Sequence, residues 1–292
     1  MNILVLGGSR FFGKRLVRQL VRDGHEVTVA TRGRQKLEEL GFGAAHAVVD
    51  RSDRSSMLDV FGGREFDLVY DQIGYTPRDA KIVVDLFAGR IGRYVFTSTM
   101  AVYDGSEEPI EESAFDPYAY PVDLAQEGYT YKEGKRQAES YLFRHADFPV
   151  VAVRPPFVIS VDDDYTGRFL FHVDKLVGGQ PIHVADSTEV SFVDAGELAS
   201  FLNFVGTKSD FAGPVNASNT GYLDTERLCR LIADLLGTSP IFEYEGADRS
   251  PYCVGETWKC SNRLAESLGF GFEPLETAIA RLVGEWKSKK AQ

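Results

Sequence analysis

The chain has 292 residues, 43% of them hydrophobic and 26% charged, with a net charge of −11. That length can bury a sizeable core, as one large domain or as a domain with a smaller partner. The acidic balance works against nucleic acid and anionic membrane, which both require a basic surface, and no run of Lys or Arg supplies one. Cys229, Cys253 and Cys260 are an odd set without a Cys-x-x-Cys motif, which points to reduced thiols and a cytoplasmic setting. The apolar run after Met1 is too short for a signal peptide, and no stretch approaches the roughly 18 apolar residues that span a bilayer.

In chain order, Ile3–Leu6 reads as a buried strand, followed by the glycine turn Gly7-Gly8-Ser9-Arg10-Phe11-Phe12-Gly13. A helix follows, with Leu16, Val17, Leu20 and Val21 on one face and Gly24 as its stop. His25–Ala30 and Ala45–Val49 read as the next strands, then Asp67–Tyr70, a helix over Pro77–Gly89, Tyr94–Phe96 and Val150–Val153. Repeated strand–helix–strand units imply an α/β fold, a Rossmann-like doubly wound parallel sheet with ligands at the strands' carboxyl ends. The second half is less regular. Helices are expected over Arg168–Val177, Thr225–Leu236 and Leu275–Trp286, with a strand and helix within 190–205 and a short strand at Val215-Asn216. The resulting division is a dinucleotide-binding domain over 1–156 plus about 184–212, and a smaller substrate lobe over 157–183 and 213–292. The acidic, aromatic-bearing segment 104–127 reads as an exposed loop or a lid, and Lys287, Lys289 and Lys290 as a frayed tail.

The glycine turn has the layout of a pyrophosphate site, in which N–H groups at a helix N-terminus face the anion. One position departs from the usual fingerprint: Arg10 stands where a middle glycine would let the backbone approach the phosphates. The second strand ends in Ala30-Thr31-Arg32-Gly33-Arg34, without the carboxylate that would accept from adenosine ribose hydroxyls. A 2′-phosphate needs cations, and Arg forks bind phosphate well. Arg32 together with Arg10 therefore argues for NADP over NAD, against the simpler reading of Arg32 and Arg34 as surface loop charges.

Tyr131 and Lys135 are four residues apart and so share a helix face. A neighbouring cation favours phenolate over phenol, which would let a tyrosine move a proton near neutral pH. A hydroxyl at a strand's carboxyl end can donate to a substrate carbonyl, and here Ser98 or Thr99 follows the fifth strand. The plainer reading of that pair is a capped strand-end turn. The five histidines are scattered without ligand spacing, so no metal is expected.

These motifs resemble the extended or atypical short-chain dehydrogenase/reductases of the NAD-dependent epimerase/dehydratase type. The resemblance rests on GGSRFFG at 7–13, VVDRSD at 48–53, YVFTSTMAVY at 94–103, YKEGKRQAE at 131–139, VRPPFV at 153–158 and SFVDAGELA at 191–199. It implies that Thr99, with Ser98 beside it, takes the catalytic Ser/Thr position, Tyr131 the acid/base and Lys135 the ribose-binding lysine. It implies further that Asp50 and Arg51 flank the adenine and that Pro155 lies at the cofactor. Gly7, Gly8, Ser9, Arg10, Phe11, Phe12, Gly13, Thr31 and Arg32 complete the cofactor set.

The implied activity is hydride transfer at a carbinol or carbonyl carbon, by an epimerase or a reductase, on a sugar nucleotide or small carbonyl compound. Met100 and Ala101 after Thr99 disfavour dehydration, which usually needs an extra carboxylate there. The alternative is a non-catalytic dinucleotide sensor or an RNA-binding protein, to which the acidic balance is unfavourable. Relatives of this type often dimerise through the helix carrying Tyr131 and the helix before it, so a homodimer is expected by resemblance. The apolar positions at 80–87 and 138–142 fit that, and equally fit packing onto the sheet.

Overall fold

The computed structural model describes residues 1–34, 41, 43–184, 188–245 and 249–291. They form two compact units, one of residues 1–103, 112–155 and 198–216, the other of 104–111, 156–197 and 217–292.

The first unit is built on a seven-stranded, all-parallel sheet. Its strands are β1 (Asn2–Leu6), β2 (Glu26–Thr31), β3 (Ala45–Val48), β4 (Leu68–Asp71), β5 (Tyr94–Thr97), β7 (Val150–Arg154) and β11 (Gly213–Asn216). The order across the sheet is β11-β7-β5-β4-β1-β2-β3, so the winding direction reverses beside β1. The crossovers include α1 (Phe11–Arg22), α2 (Arg54–Phe61), α3 (Pro77–Phe87) and α4 (Tyr131–His145). Central strands buried on both sides explain the continuous apolar runs: Ile3 to Leu6 are all fully buried. α1 turns Leu16, Val17 and Leu20 inward. α3 starts at a reciprocal capping box between Thr76 and Asp79, with Pro77 in its first turn.

The second unit holds three two-stranded parallel pairings. β6 (Ser106–Ile110) pairs with β13 (Trp258–Cys260), β8 (Phe157–Ile159) with β10 (Phe192–Asp194), and β9 (Pro181–His183) with β12 (Ile241–Glu243). α5 (Arg168–Val177), α7 (Thr225–Leu236) and α9 (Leu275–Lys290) supply its core with Phe169, Val173, Leu228, Ile232, Ile279 and Leu282. Among the described residues, α6 (Ala195–Thr207) falls mostly in the first unit and α8 (Arg263–Ser267) in the second.

Four expectations change. The lobe expected over 213–292 loses 213–216, because β11 pairs with β7 from Gly213 opposite Val151 to Asn216 opposite Arg154. Conversely, 104–111 and 184–197 go with the second unit, where β6 and β10 find their partners. The acidic segment is thus partly a strand: Glu107 and Glu108 face outward while Ile110 is buried. The lysine-rich end is not frayed. α9 runs to Lys290, Lys287 donates to the Leu235 carbonyl, and Lys289 pairs with Asp162. The apolar positions of α3 and α4 (Ala80, Val83, Phe87, Ala138, Leu142) lie in the first unit's core, which removes them as a sign of a partner surface.

Candidate active site

The glycine turn leaves β1 with the Gly7 N–H donating to the Ala30 carbonyl (3.0 Å). Gly8 has φ +151°, and a Cβ there would fall 2.9 Å from Val17 and 3.0 Å from Val5, so strand and helix close on bare backbone. A Cβ on Gly13 would meet Gln72 Oε1 at 2.1 Å and the Gly8 Cα at 3.1 Å, so its bareness lets the helix lie against the turn and makes room for the residue that follows β4. Ser9 is half-buried, and Arg10 is exposed at the N-cap of α1. Phe11 is buried with φ +52°, and its ring lies 5.7 Å from that of the half-buried Phe12. α1 has no side-chain cap and no acidic residue in its first turn, an arrangement that favours an anion from outside. Gln72 Nε2 beside it is enclosed and unpartnered. A bare cradle and an uncapped helix start fit a dinucleotide's diphosphate.

At the next two strand ends, Thr31 Oγ1 accepts from the Gly33 N–H (3.1 Å) and hydrogen-bonds His46 Nε2 (2.8 Å). Arg32 and Asp50 are both exposed. Hydrogen bonds from the Ser52 hydroxyl and N–H, with Arg32's charge adding to them, hold the Asp50 carboxyl below its ordinary range. Arg51 parts company with Asp50. Its guanidinium is buried, with Nε donating to Asp71 Oδ2 at 2.9 Å, Nη2 to the same oxygen, and Nη1 to the Asp79 carbonyl at 2.9 Å. That side chain is committed to the interior, and Asp50 is the one that faces outward.

The β5 end is clipped to α4 on successive turns. Tyr131 opens α4 behind its cap Thr130 and is 54% exposed, whereas Lys135 one turn later is 2% exposed. Lys135 Nζ donates to the Thr97 and Gly74 carbonyls, both at 2.7 Å, between the rings of Tyr75 and Phe96. Burial lowers its pKa to about 8, against the opposing pull of Asp71 and Glu139. Another turn on, Glu139 accepts the Ser98 hydroxyl proton and a bidentate fork from Arg154, whose Nη2 is 2.6 Å away. Thr99 differs from Ser98: its Oγ1 accepts from the Ala101 N–H (3.2 Å), which leaves its own proton to donate elsewhere. Pro155 is buried after β7, and its carbonyl accepts from the Met100 N–H (2.9 Å).

The sequence reading missed Glu139, Arg154, Asp71, Gln72 and Tyr75. Glu139 was findable, since it continues the Tyr131–Lys135 spacing by four residues onto the same helix face. Arg154 was signalled by a cation closing an apolar strand, VVAVR. Asp71 is fully buried. Burial alone would raise its carboxyl, but Arg51, the Tyr94 hydroxyl (2.6 Å) and the Ile73 N–H more than offset that and hold it low. Tyr75 is half exposed, its ring centroid 6.2 Å from that of Tyr131. Among the described residues, no group of three or more His, Cys, Asp or Glu could hold a metal, and none of the three cysteines is bridged. No helix among them is long and apolar enough to cross a membrane.

A parallel sheet whose winding reverses at β1, with a bare glycine cradle at that strand's end, defines a Rossmann-type dinucleotide-binding protein. The chain belongs to the NAD(P)H-binding family, whose pattern matches residues 7–190. It is 26% identical over 251 residues to the chloroplast stem-loop binding protein of 41 kDa b of Arabidopsis thaliana, covering 80% of this chain and 62% of that one. It is 27% identical over 222 residues to a 2-alkyl-3-oxoalkanoate reductase of Stenotrophomonas maltophilia, covering 70% and 65%. The chain thus spans less than two thirds of the length of these curated relatives. Its fold is that of a Thermotoga maritima UDP-glucose 4-epimerase crystallised with UDP-glucose, with TM-score 0.77, 18% identity and 100% of both chains covered.

Proposed function

We propose that the protein is an NADP-linked oxidoreductase or epimerase of the extended or atypical short-chain dehydrogenase/reductase type. It acts at a carbinol or carbonyl carbon of a sugar nucleotide or small carbonyl compound. The observation that carries this reading is the double clip between β5 and α4. Lys135 on Thr97 and Glu139 on Ser98 hold the helix that starts with Tyr131 against the strand end that leads into Thr99.

The dinucleotide, when bound, supplies a two-electron hydride donor or acceptor. The chain's own residues handle position and proton. The first turn of α1 and the bare Gly8–Gly13 cradle receive the diphosphate. Arg10 and Arg32, both exposed, attract a 2′-phosphate and outnumber the nearby Asp50 carboxylate. An ammonium has three N–H bonds, and Lys135 gives two to carbonyls; the third serves a ribose hydroxyl. Thr99 is the hydroxyl we assign to the substrate oxygen, because Ser98's proton is taken by Glu139. Tyr131, at the exposed start of α4, exchanges a proton with that oxygen as the carbon gains or loses hydride.

Tyr131→Phe is expected to keep NADPH affinity within about twofold and to lower turnover at least ~100-fold on whichever carbonyl or sugar-nucleotide substrate the wild type accepts. Arg10→Gly is expected to weaken NADPH more than NADH in calorimetry. An equal loss for both makes Arg10 a packing or diphosphate residue and removes the preference for NADP. The similarity to the stem-loop binding protein supports a second reading, an RNA-binding or sensing relative. Wild-type protein that binds a stem-loop RNA, and turns over no member of a substrate panel, favours that reading.

A further inference from the structure

We infer that the Tyr75 ring is a movable cover on Lys135, closing over the ammonium in the free protein and turning aside when the dinucleotide's ribose arrives. The inference rests on the proposed ribose-binding role of Lys135 and adds to it the residue that controls access.

Lys135 as it stands is closed to a ribose. The residue is 2% exposed, and its Nζ donates to the Gly74 and Thr97 carbonyls at 2.7 Å. The ring centroids of Phe96 and Tyr75 lie 4.6 and 4.7 Å from the same nitrogen. A ligand that takes the third N–H must displace one of these neighbours, and three of them are held in place. Thr97 and Phe96 belong to β5, and Phe96 is 1% exposed. The backbone at Gly74 is hemmed in, since a Cβ there would fall 2.8 Å from Asp71 Oδ2 and 3.1 Å from both Arg51 Nη2 and Phe96 Cε2. The backbone of Tyr75 is fixed as well. Its N–H donates to Asp79 Oδ2 at 2.9 Å, and a Cβ on Gly134 of α4 would fall 2.5 Å from its carbonyl oxygen. The Tyr75 side chain differs from all of these. Tyr75 is 46% exposed, and its ring is tilted 52° to that of the exposed Tyr131, 6.2 Å away. Rotation of an exposed side chain is a fast local motion that leaves the backbone hydrogen bonds intact. The ribose hydroxyl replaces a ring face with a hydrogen bond from a charged donor, so the ammonium loses no partner in the exchange.

The test reads Lys135 itself. Trace acetylation with acetic anhydride across a range of alkaline pH, resolved by peptide mass spectrometry, gives the midpoint at which the amine is released and its limiting rate. The charged groups around that amine, Asp71, Asp79, Glu139 and Arg51, and the Tyr131 phenol one turn away on α4, are the same in every variant. Free wild-type protein should show a midpoint of about 8, where burial holds it, and a low limiting rate. Tyr75→Ala admits water, so the midpoint should rise toward the ordinary lysine value and the limiting rate should increase at least ~10-fold. Tyr75→Phe keeps the ring and should match the wild type, which separates a cover from a hydroxyl contact. An unchanged melting temperature in Tyr75→Ala separates a lifted cover from general loosening. Saturating NADPH should bring the wild-type and Tyr75→Ala profiles together, because the ribose then takes the ring's place in both. A wild-type profile in free Tyr75→Ala overturns the cover, and so does a Tyr75→Phe profile that follows Tyr75→Ala. Bound NADPH that leaves the wild-type and Tyr75→Ala profiles apart overturns the movement alone. Wild-type protein that binds neither NADPH nor NADH overturns the dinucleotide reading and the movement together.

Discussion

The two units handle buried polarity with a different balance of charged and neutral groups. The first encloses six ionic side chains, Arg51, Lys135 and Arg154 against Asp71, Asp79 and Glu139, all under 9% exposed and balanced in sign. The second encloses one carboxylate, Asp194, paired with the partly exposed Arg281, and, separately, a neutral cluster. His172 Nδ1 lies 2.9 Å from the Arg168 carbonyl and must donate to it, so Nε2 accepts the Ser250 hydroxyl at 2.8 Å. The imidazole stacks on Tyr252 at 4.8 Å, and burial pushes its pKa down to about 4. Matched charges hold a strand end and a helix in one geometry, because each ion is stranded if its partner moves. A neutral cluster gains less geometric definition but carries no ion to strand. The charged device lies in the unit with the candidate chemistry, where small displacements of Tyr131 or Thr99 would matter most.

The largest test of that contrast is Glu139→Gln. It leaves the fully buried Arg154 without a counter-charge and is expected to cost about 3–5 kcal/mol of unfolding free energy, read from denaturant midpoints at constant m. His172→Gln, which changes no charge at neutral pH, should cost clearly less. Equal losses would mean that the ion ladder is ordinary packing.

A second test is pH. His172 titrates at about 4 in the folded protein and near 6.5 unfolded, so the unfolded state binds more protons between those values. The contribution of His172 is therefore fully present above pH 6.5 and lost as pH falls toward 4, in total roughly 3 kcal/mol. His172→Gln should flatten the stability profile between pH 4 and 6.5. A profile of the same slope in the variant assigns the acid sensitivity to carboxylates.

Much of this was legible in the sequence, and the gaps have physical causes. Arg168–Val177 and Thr225–Leu236 fall where their apolar period placed them, with Gly178 and Gly237 at their ends. The inner strands of the central sheet show as apolar runs because they are covered on both faces. β6, β8, β9, β12 and β13 are three to five residues long and are specified by partners distant in sequence, so local pattern does not mark them. The Tyr131/Lys135 spacing was visible because four residues make a helical turn. What Lys135 touches was not, because Gly74 and Thr97 contribute backbone carbonyls that no side chain announces. The family resemblance set Arg51 with Asp50 beside the adenine. Only the fold could bring Asp71 and Asp79 beneath it.

Lys135 supplies the effect most tied to function. Burial lowers its pKa from 10.5 to about 8, the nearby Asp71 and Glu139 opposing that shift. Between pH 8 and 10.5 the unfolded chain holds the proton that the folded chain has released, so unfolding free energy rises with pH across that window. Binding should run the other way. Above pH 8 the folded protein loses the ammonium that holds the Thr97 and Gly74 carbonyls and that, in the proposed role, reaches the ribose, so dinucleotide affinity should fall. Lys135→Met removes both slopes and should lower dinucleotide affinity at pH 7, measured by calorimetry across pH 7–9.5. Opposite slopes for stability and for binding, both absent in the variant, mark a lysine kept charged for a ligand at some expense to the fold. Parallel slopes would make it a structural clip no different from the Glu139–Arg154 pair one turn away.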